Sequence, residues 1–156
     1  MPTLEFETIV PASMAKVWTY FENVETSLPA LFAPGDQVVL ERADVPIREG
    51  SIVVVRSRGP VGMIRMVARV VEHRPPHSVV FGEEARFVDI QESGPFKSWR
   101  HEHDFERIDE KTTRVLDRVT YRVPFGIIGW VVDLLIIRRR VKAMFRYRVQ
   151  KLPTLL

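Results

Sequence analysis

The chain of 156 residues contains no cysteine, which removes disulfides, thiolate metal sites and thiol nucleophiles. It also lacks a long apolar run. The longest, Ile127 to Ile137, is interrupted by Asp133 and falls short of the roughly 20 residues that span a bilayer. The opening Met-Pro-Thr-Leu-Glu-Phe-Glu has no basic-then-apolar signal pattern, so a cytoplasmic protein is expected. Nucleophile elbows, phosphate-cradling glycine loops and zinc-protease motifs are missing, and hydrolytic and nucleotide-dependent chemistry lose support with them. The C-terminal stretch has no acidic residues. Residues 134–156 hold 7 basic and no acidic side chains, whereas residues 1–133 hold 16 basic and 20 acidic. The net charge of +3 therefore belongs to one segment, which excludes a nucleic-acid platform spread over the fold.

What is present is the balance of a packed globular domain, 46% hydrophobic and 28% charged. No repeat, low-complexity stretch or linker divides it, so residues 1–156 read as a single domain. Leu4 to Val10 alternates as a first strand that Pro11 ends. Ser13 then suits an N-cap, and Val17, Trp18 and Phe21 follow at helical spacing. A second short helix restarts near Asn23 and is ended by Pro29 and Pro34. Period-2 patterns predict six further strands at 36–42, 51–58, 63–74, 78–91, 95–108 and 112–123. The turns between them are short, which demands antiparallel neighbours and excludes a doubly wound sheet. After Pro124-Phe125-Gly126 the period changes. Trp130, Leu134, Ile137, Val141, Met144, Phe145, Val149 and Leu152 then form one apolar stripe on a helix of some 20 residues.

Strand alternation decides which groups share a face. On the sixth strand Trp99, His101, His103 and Phe105 point inward, and on the seventh Asp117 and Tyr121 do so. A short turn joins these strands, so the imidazoles, the carboxylate and the phenol should gather in an otherwise apolar interior. Three readings of that gathering stay open: a structural hydrogen-bond network, positioning of a ligand, and catalysis with His101, His103 or Tyr121 as general acid or base. His101-x-His103 with Asp117 also has the composition of a two-His-one-carboxylate metal site, but such a pair on a strand is a weak signal and no metal is expected. His73 and His77 flank Pro75-Pro76 and read as solvated turn residues. The basic cluster Arg138, Arg139, Arg140, Lys142, Arg146, Arg148 and Lys151 reads first as a solvated helix face. A transient membrane-surface contact is its sharper alternative.

The order strand, two short helices, six strands and one long helix resembles the START and birch-pollen-allergen (SRPBCC) superfamily. The strand-to-helix corner Ile9-Val10-Pro11-Ala12-Ser13 with Val17-Trp18 carries the likeness first. More specific are Gly94-Pro95-Phe96, Trp99, His101, His103 and Phe105, then Asp117, Val119, Tyr121, Pro124, Phe125 and Gly126, which are similar to the polyketide cyclase/dehydrase-like branch. The resemblance implies an α+β helix-grip fold, a seven-stranded curved antiparallel sheet wrapped around the C-terminal helix. It also implies a cavity between the two for an apolar small molecule: a lipid, an isoprenoid or quinone, or a polyketide. Met66, Leu134, Ile137 and Val141 join the inward polar set as expected lining, with Val53, Val55, Ile64, Ala68 and Val70 as further walls. Binding or carriage is the leading expectation, and a cyclase or dehydratase is the alternative. No cofactor and no nucleic-acid partner are expected.

Overall fold

A computed structural model describes residues 1–77 and 81–156. Strand β1 (Thr3–Val10) leads into helices α1 (Met14–Glu22) and α2 (Val24–Ala30), and a 3-10 turn at Pro34–Asp36 follows. Ser13 caps α1 by accepting from the Lys16 N–H at 3.3 Å, as its sequence position suggests. Six strands then run in succession: β2 (Val39–Ala43), β3 (Ile52–Gly59), β4 (Gly62–Arg74), β5 (Glu84–Ser93), β6 (Ser98–Asp109) and β7 (Thr112–Arg122). They pair in the order β1-β7-β6-β5-β4-β3-β2, antiparallel throughout. The sheet curves around a C-terminal helix, giving the helix-grip architecture. Among the described residues no helix is long and apolar enough to cross a membrane.

Three boundaries differ from the sequence reading, two of them for a local reason. β2 starts at Val39 because Pro34–Asp36 winds into the 3-10 turn and Gln37 adopts a left-handed conformation (φ 48°). β6 starts at Ser98 because the Gln91 side chain meets both the Phe96 N–H and carbonyl, which holds the Gly94–Phe96 segment out of the ladder. β5 starts at Glu84, and the expected opening of that strand at 78–80 lies outside the described residues.

The larger difference is in the last helix, which runs through 126–155 as α3 (Gly126–Val132), a π turn (Asp133–Ile137) and α4 (Arg138–Leu155). The π turn adds a residue to the repeat and shifts the phase of every side chain beyond it. Asp133 thereby becomes buried, while Trp130 and Leu134, expected on the inward stripe, are 59% and 43% exposed. From Ile137 onward the stripe holds: Val141, Phe145 and Leu152 are buried. Gly129 lets α3 close onto the preceding segment, since a Cβ there would lie 1.8 Å from the Pro124 carbonyl oxygen.

Two apolar clusters fill the interior. One gathers Met14, Val17, Trp18 and Phe21 of α1 against Phe87, Phe105 and Leu152, with Trp18 edge-on to Phe105 at 5.3 Å. The other gathers Trp99, Val119, Tyr121, Val141 and Phe145, with Phe6 of β1 stacked on Phe145 at 4.8 Å. Burial of each large side chain contributes about 1.5–3 kcal/mol. Between the sheet and the last helix these clusters leave space.

Candidate functional site

That space is a cavity of about 640 Å³ between the sheet and the last helix. Its size lies within the range of small-molecule sites. Val53, Val55, Ile64, Met66, Ala68 and Val70 from β3 and β4 form one wall, as their alternation predicts, and Ile137, Val141, Met144 and Phe145 form the opposite one. Polar groups converge at the floor: Asp89 of β5, His101 and His103 of β6, and Arg148 of α4.

The floor is built from strand register. Asp89 sits opposite His101 across the β5–β6 ladder, and Asp117 sits opposite His103 across β6–β7. Asp117 is fully buried behind the two imidazoles. Its Oδ1 lies 2.9 Å from His101 Nε2, 3.2 Å from His103 Nδ1 and 2.9 Å from Arg148 Nη2. On the cavity side, Asp89 Oδ2 lies 3.0 Å from His103 Nε2 and 4.0 Å from His101 Nδ1. The rings of His101 and His103 are 3.7 Å apart, and that of His103 stacks on Phe87 at 3.9 Å. Arg148 lies over the Phe21 ring at 5.0 Å, which gives its buried guanidinium a second favourable contact.

The electrostatics follow from burial and pairing. Desolvation, followed by repulsion from His103, lowers the His101 pKa to about 4, so this imidazole is neutral at pH 7. Burial alone would raise the Asp117 pKa; Arg148 and the two histidines outweigh it and hold the carboxyl well below its ordinary range. Asp89 is likewise held low, with the His103 hydrogen bond opposing desolvation. Both carboxylates are therefore charged at the floor of a mostly apolar pocket.

Of the expected site residues, Met66, Trp99, His101, His103, Ile137 and Val141 line the cavity. Four do not. Phe105 is spent in the cluster under α1, and Asp117 stands behind the histidines. Leu134 is turned outward by the π turn, and Ile128 and Val132 of α3 line the cavity instead. Tyr121 is fully buried, and its hydroxyl donates to Asp133 Oδ1 at 2.6 Å. Asp133 Oδ2 accepts from Arg138 at 2.8 Å, so the phenol belongs to a structural chain. Burial and the Asp133 carboxylate raise its pKa, which makes it a poor proton source.

Two residues of the floor escape the sequence reading. Arg148 reads as part of a solvated basic face, yet it interrupts the apolar stripe three residues after Phe145 and reaches the buried Asp117. Asp89 follows Ala85 and Phe87 on the inward face of β5, and the same alternation rule points to it. His73 also departs from expectation: it packs against Trp18 at 5.3 Å with Nε2 3.4 Å from Glu22, while His77 is exposed.

Solved structures share this architecture over nearly the whole chain. TTHA0849 from Thermus thermophilus matches with a TM-score of 0.64 at 18% identity, covering 97% of each chain. A START superfamily protein from Mycobacterium smegmatis matches at 0.63 and 11% identity, covering 99% of each. The di-domain ARO/CYC BexL of the BE-7585A biosynthetic pathway matches at 0.68 and 18% identity, over 99% of this chain and 46% of that one. At these identities the likeness is one of fold. A search of the curated proteins finds no match. The family model described as polyketide cyclase / dehydrase and lipid transport matches residues 1–156, and the chain belongs to that family.

Proposed function

We propose that the chain binds and carries an apolar small molecule with one polar end. The observation that carries this reading is the cavity of about 640 Å³, whose walls are mostly apolar and whose floor gathers Asp89, His101, His103 and Arg148. Such a site buries most of a lipid, isoprenoid or polyketide-like skeleton, and a carbonyl or hydroxyl at its end meets His101, His103 or Arg148. Native mass spectrometry of freshly purified protein, with extraction of bound compounds, tests it. A fluorescent apolar probe is expected to bind one per chain and to be excluded by Ala68→Phe, which fills the cavity wall. Probe binding that survives this substitution would refute the reading.

The surroundings of the mouth suggest where the ligand is collected. Val61, Phe125 and Ile128 line the cavity and are 95%, 82% and 73% exposed, and Ile127, Trp130, Leu135 and Ile136 extend the apolar surface along the helix. Arg138, Arg139 and Arg140 follow directly in the chain. Arg138 is paired with Asp133, but apolar side chains beside Arg139 and Arg140 suit an anionic membrane surface, where the two act together.

A second reading is a cyclase or dehydratase in which His101 or His103 moves a proton on a bound polyketone. Their place on the cavity floor favours it, whereas Tyr121 is committed to Asp133 and drops out. Turnover of a polyketone that disappears in His101→Gln or His103→Gln, with affinity retained, would establish this reading over carriage.

A further inference from the structure

We infer that Asp89, His101 and His103 form a binding site for a divalent first-row transition ion at the cavity floor. The three residues each present one ligand atom, and these atoms all lie within 4.8 Å of one another. Ligands of one ion at bond lengths near 2.0–2.2 Å stand roughly 3–3.5 Å apart, so side-chain shifts on the order of 1 Å complete the set. The spacing has a backbone origin. His101 and His103 alternate on one strand, and Asp89 faces His101 on the next, so three side chains meet without any loop having to order.

Asp117 supplies what a metal site requires behind its ligands. Its Oδ1 hydrogen-bonds His101 Nε2 at 2.9 Å and lies 3.2 Å from His103 Nδ1, which accepts from Arg148 Nη2 at 3.2 Å in this structure. A carboxylate only accepts, so the proton on His101 Nε2 leaves a lone pair on Nδ1, and moving the His103 proton to Nδ1, beside Asp117, frees one on Nε2. Both lone pairs then face Asp89 Oδ2, at 4.0 and 3.0 Å. A proton on His103 Nε2 bridges to Asp89 in this structure, and a metal ion would take that proton's place among the three acceptors. Carboxylate–histidine–metal chains have this arrangement, in which the outer carboxylate fixes the tautomer and the ring orientation. Arg148 Nη2, 3.2 Å from His103 Nδ1, makes its shorter contact of 2.9 Å with Asp117 Oδ1 and anchors that carboxylate.

Charge points the same way. Beside the imidazoles the floor holds two carboxylates and one guanidinium. A divalent ion reverses that deficit and leaves an excess that an anionic ligand end, such as an enolate or carboxylate, would cancel. Two histidines and one carboxylate leave coordination positions open, and Asp89, His101 and His103 all line the cavity where such a ligand would lie. The site does not depend on the carrier reading, because the ion is tested alone.

The experiment titrates Co2+ and Zn2+ into chelator-treated full-length protein, followed by calorimetry and by the visible ligand-field bands of Co2+. One ion per chain is expected, with Zn2+ displacing Co2+. Asp89→Asn and His101→Gln should abolish stoichiometric binding, Asp117→Asn should weaken it about 10–100-fold, and a His73→Gln/His77→Gln double variant should bind as the parent does. Asp117→Asn risks unfolding, so Asp89→Asn decides, with circular dichroism to show that it is folded. Absence of one-per-chain binding, or binding unchanged in Asp89→Asn, would overturn the inference and leave a proton shared between His103 Nε2 and Asp89 in the ion's place.

Discussion

Replacing Tyr121 with Phe separates a structural phenol from a ligand-binding one. The hydroxyl donates to Asp133 at 2.6 Å in a fully enclosed position, and Asp133 has Arg138 as its other partner. A hydrogen bond to a charged group contributes roughly 1.5–3 kcal/mol, and its loss leaves Asp133 buried with one partner fewer. For a domain of this size each kcal/mol lowers Tm by about 2–4 °C, so Tyr121→Phe is expected to melt roughly 3–12 °C lower. A thermal melt followed by circular dichroism reads this directly. Because the hydroxyl does not line the cavity, affinity for an apolar probe should stay within a factor of about two at a temperature where both proteins are folded. Combining Tyr121→Phe with Asp133→Asn should cost less than the two changes added, since both break one contact. A variant with unchanged Tm and lost probe binding would show that the phenol faces the ligand and that the assigned chain is wrong.

Two further outcomes are expected. Gly129→Ala drives a methyl group into the Pro124 carbonyl, which cannot move without displacing the start of α3, and should destabilise by about 1–3 kcal/mol in chemical denaturation; a neutral effect would refute the close approach. The protein should co-sediment with vesicles containing phosphatidylglycerol but not with phosphatidylcholine alone, and Ile127→Asp or Arg139→Glu should reduce the bound fraction; equal binding to both vesicles would refute the proposed role of the arginines.

The sheet and half of the site are legible in the sequence because period-2 alternation leaves little freedom. Once β6 and β7 are strands joined by a short turn, His101, His103 and Asp117 must share a face, and register places Asp117 opposite His103. Asp89 obeys the same rule, but its meaning appears only when β5 is known to lie beside β6. Arg148 is hidden by its neighbours: within a run of seven basic residues, nothing in the spelling separates one guanidinium aimed at a buried carboxylate from six others. The outward position of Leu134 is out of reach for a different reason. A helical stripe read at 3.6 residues per turn assumes an unbroken repeat, and the π turn breaks it.

That turn works as a clutch between two lengths of one rod. Upstream of Asp133 the helix presents its apolar side to the outside, and downstream it presents apolar side chains to the sheet, although the chain never leaves the helix. Deleting one residue between 133 and 137 would engage the two lengths in a single phase, turning the helix start by roughly 100° relative to α4. The outward apolar surface, the buried Asp133 and the set of side chains over the cavity mouth would then change together. In this fold a one-residue deletion is a change of face, and relatives differing by that single residue would meet ligand and surroundings with different sides of the same helix.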